Sequence, residues 1–160
     1  MAKDKFPVTQ AVRALKAHKA GFSLHIYNIQ EKGGTSVAAR ELGVDEHQVI
    51  KTLVMEDEQG NPFLILMHGD REVSTKALAR TLGVKTVSPC TPEIANKNTG
   101  YVVGGISPFG TRKPLKIYAE ASIFDLPRAY INAGKKGLLA EISPGEVERI
   151  LHPIQVSVAI

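Results

Sequence analysis

The 160-residue chain has one cysteine, Cys90, and no tryptophan. A single cysteine excludes an intrachain disulfide and cannot supply a zinc cluster, and it fits a reducing, cytoplasmic setting. The longest apolar runs, such as "FLILM", are far too short to span a bilayer. The first ten residues, "MAKDKFPVTQ", contain no apolar signal core. No G-x-x-x-x-G-K-[ST] loop is present, which argues against a P-loop nucleotidase. The five histidines (His18, His25, His47, His68 and His152) are not spaced as H-E-x-x-H, so the expectation is no metal and no cofactor. "GGISPFG" is not a serine-centred G-x-S-x-G elbow. No linker or low-complexity tract interrupts the chain.

What is present suits one folded domain covering residues 1–160. Hydrophobic residues make up 43% and charged residues 22%, ordinary values for a globular core with a solvated surface. Net charge is +4, but it is concentrated. Residues 97–136 carry seven basic side chains against two acidic ones, a net of +5. A local positive field favours an anionic partner, with phosphates first among them. A solvated basic face is the plain alternative.

Hydrophobic spacing predicts a helix over 8–19, with Val8, Val12, Leu15 and Lys19 on one face. Alternation predicts a strand in "FSLHIYNI", and "VIKTLVM" and "PFLILMH" read as two strands joined by a turn. Helices are expected at "TSVAARELG", from Ser74 to Gly83, and at "TPEIANK", which Thr91 caps. "TSVAARELGV" and "TKALARTLGV" share a pattern, which suggests either a duplicated unit or two helices with the same glycine cap. Tyr101–Val103 reads as a strand, as do "PLKIYAE", "RAYIN" and "GLLAEI". "SPGEVERILH" carries a capping-box pattern, with Ser143 and Glu146 as reciprocal partners. The fold class is α/β: a single domain with a strongly curved, barrel-like mixed sheet and surrounding helices.

Lys51 is the most informative charge. It shares a strand face with Val49, Leu53 and Met55, and the opposite face holds Ile50, Thr52 and Val54. A lysine on a central strand is costly unless it is paired, solvated through a cleft, or offered to an anion. A stem lying on apolar surface with its ammonium in water is the alternative. Gly104 and Gly105 remove two side chains at the end of an apolar segment. They permit close approach of a ligand, or a paired N–H site for an oxyanion, or simply a turn. Ser107 adds a hydroxyl, and Tyr27 an aromatic suited to the core or to stacking on a base. Cys90 sits near a helix start, where a thiol pKa can fall, although a lone cysteine is more often a small hydrophobe.

The segments "VIKTLV", "TGYVVGGISPFG" and "YINAGKKGL", in this order, resemble the YbaK/EbsC family of aminoacyl-tRNA deacylases, which also supplies the editing domain of bacterial prolyl-tRNA synthetases. The resemblance runs from about residue 8 to residue 152 and looks most like the Cys-tRNA(Pro) deacylase branch. It implies hydrolysis of tRNA(Pro) mischarged with cysteine, with prolyl-tRNA synthetase as a working partner. It implies Lys51 as the essential residue, placing the terminal nucleotide or aminoacyl end. It also implies Tyr27, Thr52, Gly104, Gly105, Ile106, Ser107, Asn132 and Gly134 around the substrate. The family's expected chemistry uses the cysteine's own thiol, without a metal. Two departures stand out. Asn132-Ala133-Gly134 and Leu139 replace a Ser-Gly-Gly and an Asp, with Glu141 as a substitute acid. Residues 31–35, "EKGGT", form a short, glycine-rich loop after Tyr27. These changes leave open a deacylase for another small amino acid such as alanine, a non-catalytic module that binds tRNA or synthetase, and a small-molecule hydrolase.

Overall fold

The computed structural model describes residues 6–28 and 34–160. Most of the glycine-rich loop at 31–35 and the end of "FSLHIYNI" at Ile29 therefore lie outside the described residues. The helices are α1 (Gln10–Ala17), α2 (Thr35–Leu42), α3 (Thr75–Leu82), α4 (Pro92–Thr99) and α5 (Pro144–Leu151). The strands are β1 (Phe22–Ile26), β2 (Val49–Asp57), β3 (Pro62–His68), β4 (Val87–Pro89), β5 (Ile117–Glu120), β6 (Ala129–Asn132), β7 (Leu138–Ile142) and β8 (Ile154–Val156). No helix among the described residues is long and apolar enough to cross a membrane.

The eight strands form one mixed sheet in the order β1-β7-β6-β2-β3-β5-β8, with β4 also paired to β2. The α/β class and the mixed sheet are as the sequence implies. The sheet is open, since β1 and β8 end the order and no described pairing joins them. Strand β2 pairs antiparallel with β3 over seven positions, from Ile50↔His68 to Glu56↔Pro62. Its other edge meets parallel β6 only at Val49 and Ile50, and antiparallel β4 only at Met55 to Asp57. Between these contacts the edge is open from Lys51 to Leu53, and the Cys90 N–H meets the Val54 carbonyl at 2.9 Å. The Gly69 N–H donates to the Val49 carbonyl, so alternation turns the main-chain groups of Lys51 and Leu53 toward β3. Those of Thr52 then face the open edge.

The helices begin and end where their caps dictate. Thr9, Ser74, Thr91 and Ser143 each accept a backbone N–H with the side chain. Helix α1 is shorter than the 8–19 span: Thr9 caps it, Val8 is 59% exposed, and Lys19 turns to φ 54°. The repeated pattern at 35–44 and 75–84 produces two identical C-caps. Gly43 and Gly83 are left-handed, and the Val44 and Val84 N–H groups each reach back 3.0 Å to Ala39 and Ala79. This Schellman geometry accounts for the shared sequence without requiring duplication. The capping box is only half formed. The Ser143 hydroxyl caps Glu146 N–H, but the Glu146 carboxylate turns to Arg149 at 2.6 Å.

Tyr101–Val103 is not a strand. Gly100 ends α4 in a left-handed turn at φ 83°, and the Gly105 N–H closes a turn on the Val102 carbonyl at 2.8 Å. Tyr101 is buried, with its hydroxyl donating to the Phe109 carbonyl. Val102 and Val103 point outward, 73% and 51% exposed. The apolar run therefore anchors through one tyrosine rather than through a ladder. Gly105 is buried against the β6–β7 connection, where a Cβ would lie 2.9 Å from Lys136 N and 3.0 Å from two Lys135 backbone atoms. Backbone cannot yield as a flexible side chain does. Gly105→Ala is therefore expected to cost about 1–3 kcal/mol, read by urea denaturation; a change below about 0.5 kcal/mol would show that this contact is slack.

Candidate functional site

The open edge of β2 is the floor of a cleft of about 720 Å³. Six consecutive residues, Val49 to Val54, line it. Both strand faces contribute, because no neighbouring strand separates them at the gap. The start of α2 (Gly34 to Ser36) and Glu46 form one wall, and Pro89, Cys90 and Ala95 form another. The turn at Val103, Gly104 and Ile106 closes a third side with Asn132 and Lys136. A volume of this size lies within the ~300–1,000 Å³ typical of small-ligand sites.

Lys51 stands in this cleft with its side chain 21% exposed. Its ammonium lies 3.2 Å from Glu72 Oε2, whose side chain is 80% exposed. The lysine is thus both paired and presented to the cleft. The second cleft acid, Glu46, is held differently: its Oε2 accepts the Thr35 hydroxyl at 2.7 Å. Thr52 lines the cleft, and its Oγ1 is buried without a hydrogen-bond partner among the described residues. Tyr27 follows β1 directly, fixed by its N–H to the Gly137 carbonyl at 3.0 Å. It is half-buried against the cluster of Val49, Tyr130 and Leu139, and burial raises its phenol pKa.

Among the glycine-motif residues the cleft receives Gly104 and Ile106, but not Gly105 or Ser107. The Gly105 N–H is committed to Val102, so the two glycines do not offer a free pair of donors. Ser107 is fully buried, with its hydroxyl accepting the Phe109 N–H at 3.2 Å. Gly104, at φ 97°, leaves room for Lys136, since a Cβ there would lie 2.6 Å from Lys136 Cε. Asn132 lines the cleft and also latches its wall. Its amide donates to the carbonyls of Gly104 (3.3 Å) and Lys135 (3.1 Å), and its oxygen accepts the Gly134 N–H at 2.6 Å. Gly134 lies behind that latch at φ 99°, against Tyr101 and Thr9, and does not line the cleft.

Residues 31–150 match the aminoacyl-tRNA editing domain family. The chain belongs to that family. A candidate Cys-tRNA(Pro)/Cys-tRNA(Cys) deacylase of Enterococcus faecalis, EbsC, is 29% identical over 146 residues, 90% of this chain and 89% of the relative. A proline–tRNA ligase of Thermodesulfovibrio yellowstonii is 34% identical over 116 residues, which is 72% of this chain but 20% of the ligase. A solved structure described as a candidate trans-editing enzyme for prolyl-tRNA synthetase superposes with a TM-score of 0.84. It covers 97% of this chain and 99% of its own at 22% identity, a likeness of fold.

The editing-domain cleft contains no activated nucleophile among the described residues. Burial, with Glu56 nearby, pushes the Cys90 thiol up to about 11, so it is protonated near neutrality. The described Ser–His pair, Ser122 Oγ to His68 Nε2 at 2.7 Å, does not line the cleft. Glu141 does not line it either. Its carboxylate is held by His25 (2.8 Å) and Arg128 (3.1 Å), which keep its pKa low. Leu139 occupies the cleft at that strand. His47, His68 and Asp70 cluster outside it. The two imidazoles stack 3.6 Å apart at 5°, and in-plane lone pairs on parallel rings cannot converge on one ion at ~2.0–2.1 Å.

Sequence reasoning missed Glu72 and Glu46 in the cleft, and it marked Lys136 only as part of the basic 97–136 segment and of "YINAGKKGL". Glu72 and Lys136 arrive through loops placed by pairing elsewhere in the chain, and Glu46 through the short turn that runs directly into β2. For Cys90, alkylation by iodoacetamide is expected to accelerate up to about pH 10 and beyond, following a thiol near 11. A plateau below pH 9 would identify an activated thiolate instead.

Proposed function

We propose that this editing domain hydrolyses the ester of tRNA(Pro) mischarged with cysteine, acting in trans beside prolyl-tRNA synthetase in the cytoplasm. The observation that carries this reading is the placement of Lys51. A cation on the central strand opens into a cleft at the only interrupted stretch of that strand's described ladder. A substrate whose reacting ester adjoins a phosphodiester needs such a charge beside a largely apolar floor. The similarity to EbsC supports cysteine as the amino acid, and the ligase match supports proline tRNA as the carrier.

In this reading Lys51 contacts the terminal nucleotide or the aminoacyl end by charge and hydrogen bonding. Thr52 turns its open-edge main-chain groups to the same end of the substrate, with its hydroxyl buried beside them. Tyr27 and Ile106 supply apolar walls, while Asn132 and Gly104 hold the far wall in place. Cysteine's own sulfur attacks its carbonyl and the terminal adenosine hydroxyl leaves with a proton. Water then opens the resulting cyclic thioester to free cysteine. This route requires neither a side-chain nucleophile nor the Cys90 thiol. The editing need follows from a general limit: a pocket that distinguishes amino acids by about one methylene gains only ~1–3 kcal/mol.

The decisive measurement is release of amino acid from tRNA charged with cysteine, alanine or serine. Cys-tRNA(Pro) is expected to be hydrolysed, and Lys51→Ala to lower kcat/KM by about 10²–10³-fold, the cost of losing one well-placed electrostatic contact. If all three charged tRNAs stay intact while the protein still binds tRNA in a salt-dependent way, the domain is a binding module and the deacylase reading fails.

A further inference from the structure

Glu72 has no role in the site as drawn so far, yet it makes the closest described ionic contact to Lys51. Its backbone is not loose. The Glu72 N–H donates to the Ile160 carbonyl at 3.0 Å, and the Ile160 N–H returns to Glu72 at 2.9 Å. Val73 bridges Ala159, and the Ser74 N–H donates to the Val158 carbonyl at 2.8 Å. The C-terminal segment therefore fixes where the carboxylate starts. The side chain itself is 80% exposed, whereas that of Lys51 is 21% exposed. A firmly anchored but well-solvated acid thus faces a lysine set largely inside the cleft. Solvent screening makes such a pair weak, and weak pairs exchange partners readily.

We propose that Glu72 is a positioning residue that holds Lys51 as a displaceable counter-ion and releases it to a phosphate of the substrate's terminal nucleotide. The proposal rests on reading the cleft as the site for the tRNA end. Glu72 keeps the ammonium at the mouth of the cleft and balances its charge while no substrate is bound. An incoming phosphate then takes the same ammonium, and the freed carboxylate turns to water, from which it is already little shielded. Glu46, whose Oε2 accepts the Thr35 hydroxyl, makes no described ionic contact with Lys51.

Adenosine 5′-monophosphate serves as the probe, with adenosine as the phosphate-free control, in binding titrations on the full chain. Glu72→Gln is expected to tighten binding of the monophosphate about two- to fivefold. Adenosine is expected to show no change, and Glu72→Asp, which keeps the charge, to stay close to wild type. In a Lys51→Ala background the Glu72→Gln gain is expected to vanish. On charged tRNA the gain is expected to enter through KM. The proposal is overturned by an equal gain in the Lys51→Ala background, which would mean that Glu72 acts through its own field. It is also overturned by an equal gain for adenosine, by no gain in a variant with unchanged Tm, or by no monophosphate binding to either protein. A gain on the monophosphate without hydrolysis of any charged tRNA would sink the deacylase reading and leave the Glu72 assignment standing. Hydrolysis with no gain would do the reverse.

Discussion

Strand β2 is zipped to β3 along one edge, while on the other it has β6 at its beginning and β4 at its end. The stretch between, from Lys51 to Leu53, has no strand beside it. An interior strand with an unpaired stretch carries a cost, because backbone donors and acceptors expect partners. Alternation places that cost chiefly at Thr52, whose neighbours in sequence bond to β3; Val54, on the same edge as Thr52, has its carbonyl met by the Cys90 N–H at 2.9 Å. The unpaired stretch becomes the floor of the cleft, and the remaining site residues are defined by how they reach it. The side-chain hydroxyl of Thr52 is buried and has no partner among the described residues. Unmet hydrogen-bonding capacity is therefore concentrated at one residue beside the one lysine on the floor.

The glycine turn depends on this gap too, though not by offering amides. Gly105 lets the turn press backbone to backbone against the β6–β7 connection, and Gly104 lets the Lys136 stem cross it. Asn132 ties the two segments together with its amide and its carbonyl oxygen. Tyr101 fastens the front of the turn and buried Ser107 its back. The result is a rigid wall facing β2 across the cleft, with two exposed valines at its rim. A wall built by close packing holds its shape without a ligand, which matters where a substrate must meet a lysine at a fixed distance.

Local signals account for what was legible in the sequence. Thr9, Ser74, Thr91 and Ser143 cap helices because capping needs only the next three residues. Two-sided hydrophobicity marked β2 as central, and that made Lys51 conspicuous. The failures share a different cause. Tyr101–Val103 has the composition of a strand, but the left-handed Gly100 and the Val102–Gly105 turn bend it out of extension. Glu146 has capping-box spacing, but Arg149 one turn on is a stronger partner for its carboxylate. Glu141 sits on the expected face, yet a cross-strand histidine and an arginine hold it there. Glu72 lies 21 residues from Lys51 and meets it only because the C-terminal segment pairs with its loop. Periodicity carries no information about such encounters.

The charge pattern and the lack of an activated nucleophile among the described residues support one chemical division of labour. The cleft supplies position and field: one lysine on its floor, another over the glycine turn, and acids that are each already engaged. It supplies no thiolate, since the only cysteine is held protonated by burial beside an acid. In the deacylase proposed above, such a site accelerates the reaction by orienting a group that is reactive on its own. Under that proposal selectivity comes from two filters in series: whether an amino acid fits, and whether it carries an internal nucleophile able to reach its carbonyl. The second filter needs no contact with the protein. A cleft with ordinary size discrimination can therefore spare correctly charged proline, whose ring nitrogen and methylenes offer no such group.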